Sequence, residues 1–248
     1  MELGWLEAVV VVFAMLLAST VFSATGFGIG MISTPLMLLV YEPQTVIVVA
    51  GTAGLGIGVW IISKSWRDVP FREVLPITIA ALCGAPIAVF ILTTADSSIL
   101  SIGIAVLIIL FAIGSFVKVE REIPYSTPVG IAAGFIVGVL LPTSGVAGSL
   151  VMLFLMTKKW ERQTVRAAMA FFLLALMSFS IILFALNGLY TPLRLTLIGV
   201  IIIPSVVGIA IGSFLMRRLN ERVFNMTVIG IIIVSSVLVL AKEASKYL

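Results

Sequence analysis

Ten apolar segments separated by short polar breaks occupy most of this chain, and that pattern constrains the fold more than any other feature. They run at roughly 5–23, 27–41, 44–63, 73–92 and 98–117, then at 127–141, 145–157, 163–187, 193–215 and 222–241. Most approach the ~20 residues that a helix needs to cross a bilayer. Barrel strands would instead alternate over about ten residues. Of the 248 residues, 61% are hydrophobic and only 10% charged. A water-soluble surface needs roughly a quarter charged. In lipid the backbone must satisfy its own polar groups, which selects helices. The expected fold class is therefore an all-α polytopic membrane protein.

Composition also removes several function classes. There is no histidine, hence neither the commonest metal ligand nor the commonest proton shuttle. No metal, cofactor or enzymatic activity is expected. Cys83 is the single cysteine and lies in an apolar run, where packing inside the protein is the first reading. The 15 basic and 11 acidic residues form no clustered basic face for nucleic acid. The N-terminus carries Glu2 and Glu7 but no Lys or Arg before Lys64, unlike a signal peptide.

The two halves read as copies. At an offset of 119, Leu36-Met37 falls on Leu155-Met156, Tyr41-Glu42 on Trp160-Glu161, Gln44-Thr45-Val46 on Gln163-Thr164-Val165, and Thr25-Gly26 on Ser144-Gly145. With a small gap, Asp96-Ser-Ser-Ile-Leu100 lies over Asn220-Glu-Arg-Val-Phe224. The expected repeats are 1–120 and 121–248.

Charge placement sets their relative direction. Clusters at Lys64/Arg67/Arg72, Lys118/Arg121, Lys158/Lys159/Arg162/Arg166 and Arg217/Arg218/Arg222 hold twelve of the fifteen basic residues. The positive-inside rule assigns them to the cytoplasmic face. The loop around Tyr41–Gln44 then lies outside, whereas its repeat partner Trp160–Gln163 lies inside. The halves should thus have inverted topology, with both termini outside the cytoplasm of a multi-pass cell-membrane protein. An odd number of net crossings per half follows if each is a helical hairpin (5–41 and 127–157) plus three transmembrane helices.

The hairpin arms meet at two small-residue breaks, Ser23-Ala-Thr-Gly-Phe-Gly-Ile-Gly30 and Pro142-Thr-Ser-Gly-Val-Ala-Gly-Ser149. A helix beginning there exposes unpaired N–H groups and the positive end of its dipole. Facing helix ends of this kind hold anions at the midplane of many secondary transporters. Substrate-binding candidates are Ser23, Thr25, Gly26, Phe27, Gly28 and Gly30 in the first break. Thr143, Ser144, Gly145 and Gly148 are their counterparts in the second. Gln44 and Gln163 begin matched helices, where capping and lining the path are equally open readings. Arg166 lies one turn into its segment, where it could snorkel to the interface or draw anions to an inner vestibule. Gly26/Gly30, Gly54/Gly58, Gly130/Gly134/Gly138 and Gly208/Gly212 have GxxxG spacing. Packing is their default role, within one chain or between two copies of a homo-oligomer. No acidic residue sits centrally in an apolar segment, so no proton-relay carboxylate is visible.

The stretch Thr25-Gly-Phe-Gly-Ile-Gly-Met-Ile-Ser-Thr-Pro-Leu36, followed by a second related half, resembles the TauE/SafE family of membrane permeases. Gly26, Gly28, Gly30 and Pro35 match the first copy of its signature. Gly145 and Gly148 match the second, while Ser149 and Phe154 replace Gly30 and Pro35. The resemblance implies transport of sulfur-containing oxyanions, such as sulfite or an organosulfonate like sulfoacetate. Combined with the breaks, the expectation is an alternating-access carrier of a small anion, set against a channel-like facilitator or a membrane scaffold subunit.

Overall fold

The computed structural model describes residues 4–25, 29–114, 127–156, 160–215 and 221–246. They form α1 (Trp5–Thr25), α2 (Ile29–Leu38), α3 (Pro43–Ser65), a 3-10 turn (Trp66–Asp68), α4 (Phe71–Thr94) and α5 (Ser97–Gly114). The second half supplies α6 (Thr127–Ser144), α7 (Gly148–Met156), α8 (Arg162–Leu186), α9 (Pro192–Leu215) and α10 (Glu221–Ala244). No strand occurs among the described residues. Each apolar segment has become one helix, with its ends shifted by a few residues.

Among the described residues, five stretches are long and apolar enough to cross a membrane: Trp5–Ser23, Phe71–Thr94, Ser97–Gly114, Gln163–Leu186 and Pro192–Gly212. Large apolar side chains such as Ile79, Phe90, Ile99, Leu110, Ile203 and Phe214 point outward from the bundle. Water would not tolerate so much contiguous apolar surface; lipid does. Hydroxyls inside the helices bond back to their own backbone. Thr78 donates to Val74 O at 2.9 Å, Ser180 to Leu176 O at 2.7 Å and Ser205 to Ile201 O at 2.6 Å. That arrangement satisfies a polar group where no water is available.

One expectation needs correction. Cys83 is not packed inside but exposed on the outer surface of α4; its thiol is apolar enough to face lipid as readily as a core. Pro35, Pro76, Pro86, Pro142 and Pro204 all lie inside helices. Each removes one N–H donor, and without competing water the remaining backbone bonds hold.

The helices pair in a regular way. α1 packs along α9 and α6 along α4, while α3 lies on α8 and α5 on α10. Glycine makes the two longest seams possible. A Cβ at Gly134 or Gly138 would run into the carbonyls of Ile77 and Ala81 on α4. One at Gly208 or Gly212 would meet the carbonyls of Leu16 and Thr20 on α1. Both GxxxG pairs are thus filled within one chain, by close backbone approach. Gly54 is different, having no atom within 4 Å of where its Cβ would be.

Candidate functional site

The two helix breaks meet. A Cβ on Gly30, in the first turn of α2, would overlap the carbonyl of Gly145. From the other side, the Cβ position of Gly145 lies 3.8 Å from Gly30 Cα. Gly145 ends α6: its φ is +74°, and its N–H donates to Leu141 O at 2.8 Å. The left-handed conformation stops the helix at low cost only because the residue is glycine. The chain then turns through Val146 and Ala147 into α7. Against the junction lies Thr34, fully buried, whose Oγ1 is 3.0 Å from the Gly145 Cβ position. That hydroxyl has no hydrogen-bond partner among the described residues.

Beside the junction lies a cavity of about 130 Å³. One face of α3 (Ile47, Gly51, Gly54, Gly58) and one face of α8 (Arg166, Met169, Leu173, Met177) form its long walls. Both sets recur every three or four residues, the spacing of a single helix face. Ile29, Gly30, Gly145 and Gly148 bring both breaks to its wall. Over the eleven steps from Ile47 to Gly58 on α3 the cavity runs roughly 16 Å, at about 1.5 Å per step. Its lining is apolar apart from backbone and Arg166, which is exposed. Arg166 and Gly58 mark one end, and Ile47 and Phe184 the other.

The end near Ile47 is tied by polar bonds. Arg194, at the start of α9, donates through Nε to Thr45 Oγ1 at 3.1 Å and through Nη1 to Leu189 O at 2.7 Å. Lys242 on α10 donates to the carbonyls of Leu38 and Leu39 at 3.1 and 3.0 Å, closing the C-terminal end of α2. Tyr41 donates to Glu7 Oε2 at 3.1 Å. Burial, and then the hydrogen bond to and charge of Glu7, push the Tyr41 phenol up from 10.0 to about 12.

Of the residues singled out from sequence, Gly30, Gly145, Gly148 and Arg166 line the cavity. The hydroxyls do other work. Ser23 donates to Ile209 O at 3.0 Å, Thr143 to Val139 O at 2.6 Å and Ser144 to Leu140 O at 2.7 Å. These bonds hold the breaks to their own and neighbouring helices. Gln44 accepts from Ser97 at 3.3 Å, and Gln163 donates to Asp68 at 2.7 Å; both sit at helix ends, away from the cavity wall. Gly26, Phe27 and Gly28, like the Thr25 side chain, lie outside what is described. Sequence reasoning missed Thr34 and the methionines Met31, Met152, Met169 and Met177. It also took Gly54/Gly58 for a packing seam. The three- and four-residue spacing of Gly51, Gly54 and Gly58 was the available signal for a groove.

Compared with known proteins, residues 11–239 match the profile of one family, described as "Sulfite exporter TauE/SafE". No curated protein and no solved structure matches the chain.

Proposed function

Because the chain belongs to the TauE/SafE sulfite exporter family, and is thus a multi-pass membrane transporter for a sulfur-containing anion, we propose that the cavity beside the abutting breaks is its substrate site and that it works by alternating access. The single observation that carries this reading is the junction itself: two helix beginnings, at Ile29 and Gly148, reach one cavity through Gly30 and Gly148, with Gly145 at the end of α6 beside them. The first turn of a helix offers N–H groups without intrahelical partners, and glycine lets an anion come close to them. Arg166 at one end adds the attraction that draws an anion in.

Inverted repeats of residues 1–120 and 121–248 would supply the two access states. The helix pairing supports this arrangement. Exchanging the halves carries the α1–α9 pair onto α6–α4, and returns the α3–α8 and α5–α10 pairs to themselves. With the basic clusters inside, Arg166 lies at the cytoplasmic end and Arg194 at the outer end. The conformation is then inward-facing, with both termini outside.

The test uses Gly54, where an added Cβ meets nothing within 4 Å. Leucine there fills the cavity without displacing backbone. In proteoliposomes, Gly54→Leu should lose most counterflow of sulfite and small sulfonates. Gly103→Leu, on α5 and equally free of neighbours, should retain it. Wild-type counterflow in Gly54→Leu would remove the cavity from the transport path.

A further inference from the structure

We infer that the turn between α3 and α4 binds the headgroup of an anionic phospholipid, held by Arg67 and Arg72 beside an exposed aromatic patch. The 3-10 turn (Trp66–Asp68) brings three rings together. Trp66 meets Phe71 edge-on at 4.9 Å between ring centroids, and Phe71 meets Phe171 of α8 at 5.2 Å. Two of the rings nonetheless stay on the surface: Trp66 is 55% and Phe71 36% exposed. Each is followed directly by an arginine. Both Arg67 and Arg72 are exposed, and neither has a hydrogen-bond or ion-pair partner among the described residues. The carboxylates beside them are engaged: Asp68 accepts from Gln163 at 2.7 Å, and Glu73 also has a partner. A ring patch bearing two free guanidinium groups is complementary to both parts of a phospholipid. Guanidinium forks match phosphate oxygens. Amphipathic rings suit the headgroup level of a bilayer, where tryptophan concentrates.

The surroundings favour a lipid over a soluble phosphate. Beyond Phe71 the outward face of α4 continues through Leu75 and Ile79, both exposed. Their four-residue spacing makes one stripe on a helix. α4 is long and apolar enough to cross the bilayer, so the stripe gives the acyl chain of a bound headgroup an apolar path inward. The positive-inside rule puts this turn on the cytoplasmic leaflet, where anionic lipids attract basic residues near the surface. The turn itself is held in place. Val69 is buried in one cluster with Ala167 and Ala170 of α8, and the Asp68–Gln163 bond ties it again. Little ordering therefore opposes binding. The same stretch of α8 carries Arg166 at the end of the cavity, so the lipid docks on the turn that braces that wall.

The experiment reads the fluorescence of Trp66, taken as the difference between wild type and Trp66→Phe. The full chain is reconstituted in phosphatidylcholine bilayers containing brominated phosphatidylglycerol or brominated phosphatidylcholine. Bromine quenches only rings close to it, so the quenching reports which lipid resides at the turn. Phosphatidylglycerol should hold the position about fivefold more tightly than phosphatidylcholine for each guanidinium engaged. Arg67→Gln/Arg72→Gln, a change at two exposed positions, should make the two lipids equal. Excess soluble glycerol phosphate should leave the quenching unchanged. Equal quenching by both lipids in wild type, or a preference that survives in the double variant, would overturn the inference. Displacement by glycerol phosphate would overturn a lipid as the occupant. A Trp66 that neither lipid quenches would do the same, because the ring patch would then be covered by protein, such as a second copy of the chain.

Discussion

Alanine at Gly84 probes whether glycine sets the distance between α4 and α6. A Cβ there would lie 2.6 Å from the Phe135 carbonyl oxygen, 2.9 Å from the Val139 nitrogen and 3.0 Å from the Gly138 carbonyl carbon. All three are backbone atoms of α6, so no change of rotamer relieves the overlap. The helices must part locally by roughly 0.7 Å before contact distances are restored. Forcing one extra methyl into a packed seam costs about 1–3 kcal/mol. Replacing a helical glycine by alanine recovers about 0.5–1 kcal/mol of that. The expected net loss is about 1–2 kcal/mol. Gly103→Ala on α5 is the control, since nothing lies within 4 Å of its Cβ position; it should be neutral or gain up to about 1 kcal/mol. Unfolding of mixed micelles by dodecyl sulfate, followed by the fluorescence of the four tryptophans, would resolve a separation of about 2 kcal/mol between the variants. Equal stability of Gly84→Ala and Gly103→Ala would refute the reasoning. Gly208 provides a repeat of the test. It stands 124 residues after Gly84, the spacing of Asn220 from Asp96, and its Cβ position is 2.9 Å from Ser19 Cβ on α1.

Two further outcomes follow from the outer end. On the alternating-access reading, Arg194 holds that end shut through Thr45 and the Leu189 carbonyl. In a Cys83→Ser background, a cysteine introduced at Gly54 should react with an impermeant thiol reagent from the Arg166 side. Adding Arg194→Gln should raise its reactivity from the Arg194 side severalfold; labelling unchanged from that side would remove Arg194 as a closure. Tyr41 gives a pH signature. Its phenol is raised from 10.0 to about 12, so the fold favours the neutral form. That stabilisation is complete below pH 10 and is lost as pH rises through about 12. The ultraviolet phenolate difference between wild type and Tyr41→Phe should titrate late, and Glu7→Gln should bring it earlier; a midpoint near 10 in wild type would contradict the contact.

Much of this molecule is legible in its sequence because lipid leaves a chain few options. Apolar runs near twenty residues must be helices when no water can satisfy the backbone, and all ten became helices. The place where α6 stops was legible to within three residues, since Gly145 is the one position there that accepts φ +74° cheaply. The family was legible in Thr25–Leu36, because glycine at a break cannot be exchanged freely. What the sequence left open was which surfaces meet. Ser23, Thr143 and Ser144 are polar residues in apolar surroundings, and sequence alone does not distinguish a hydroxyl that faces a ligand from one that bonds the preceding turn. Gly54 and Gly134 carry the same spacing signal, yet one opens a cavity and the other a helix seam. Only tertiary structure decides between these, because the missing Cβ is used by whatever stands opposite, and that neighbour lies on another helix. The contact of Gly30 with Gly145 brings together residues 115 positions apart; local preference and hydropathy place each in a break, and packing of the whole bundle places them against each other.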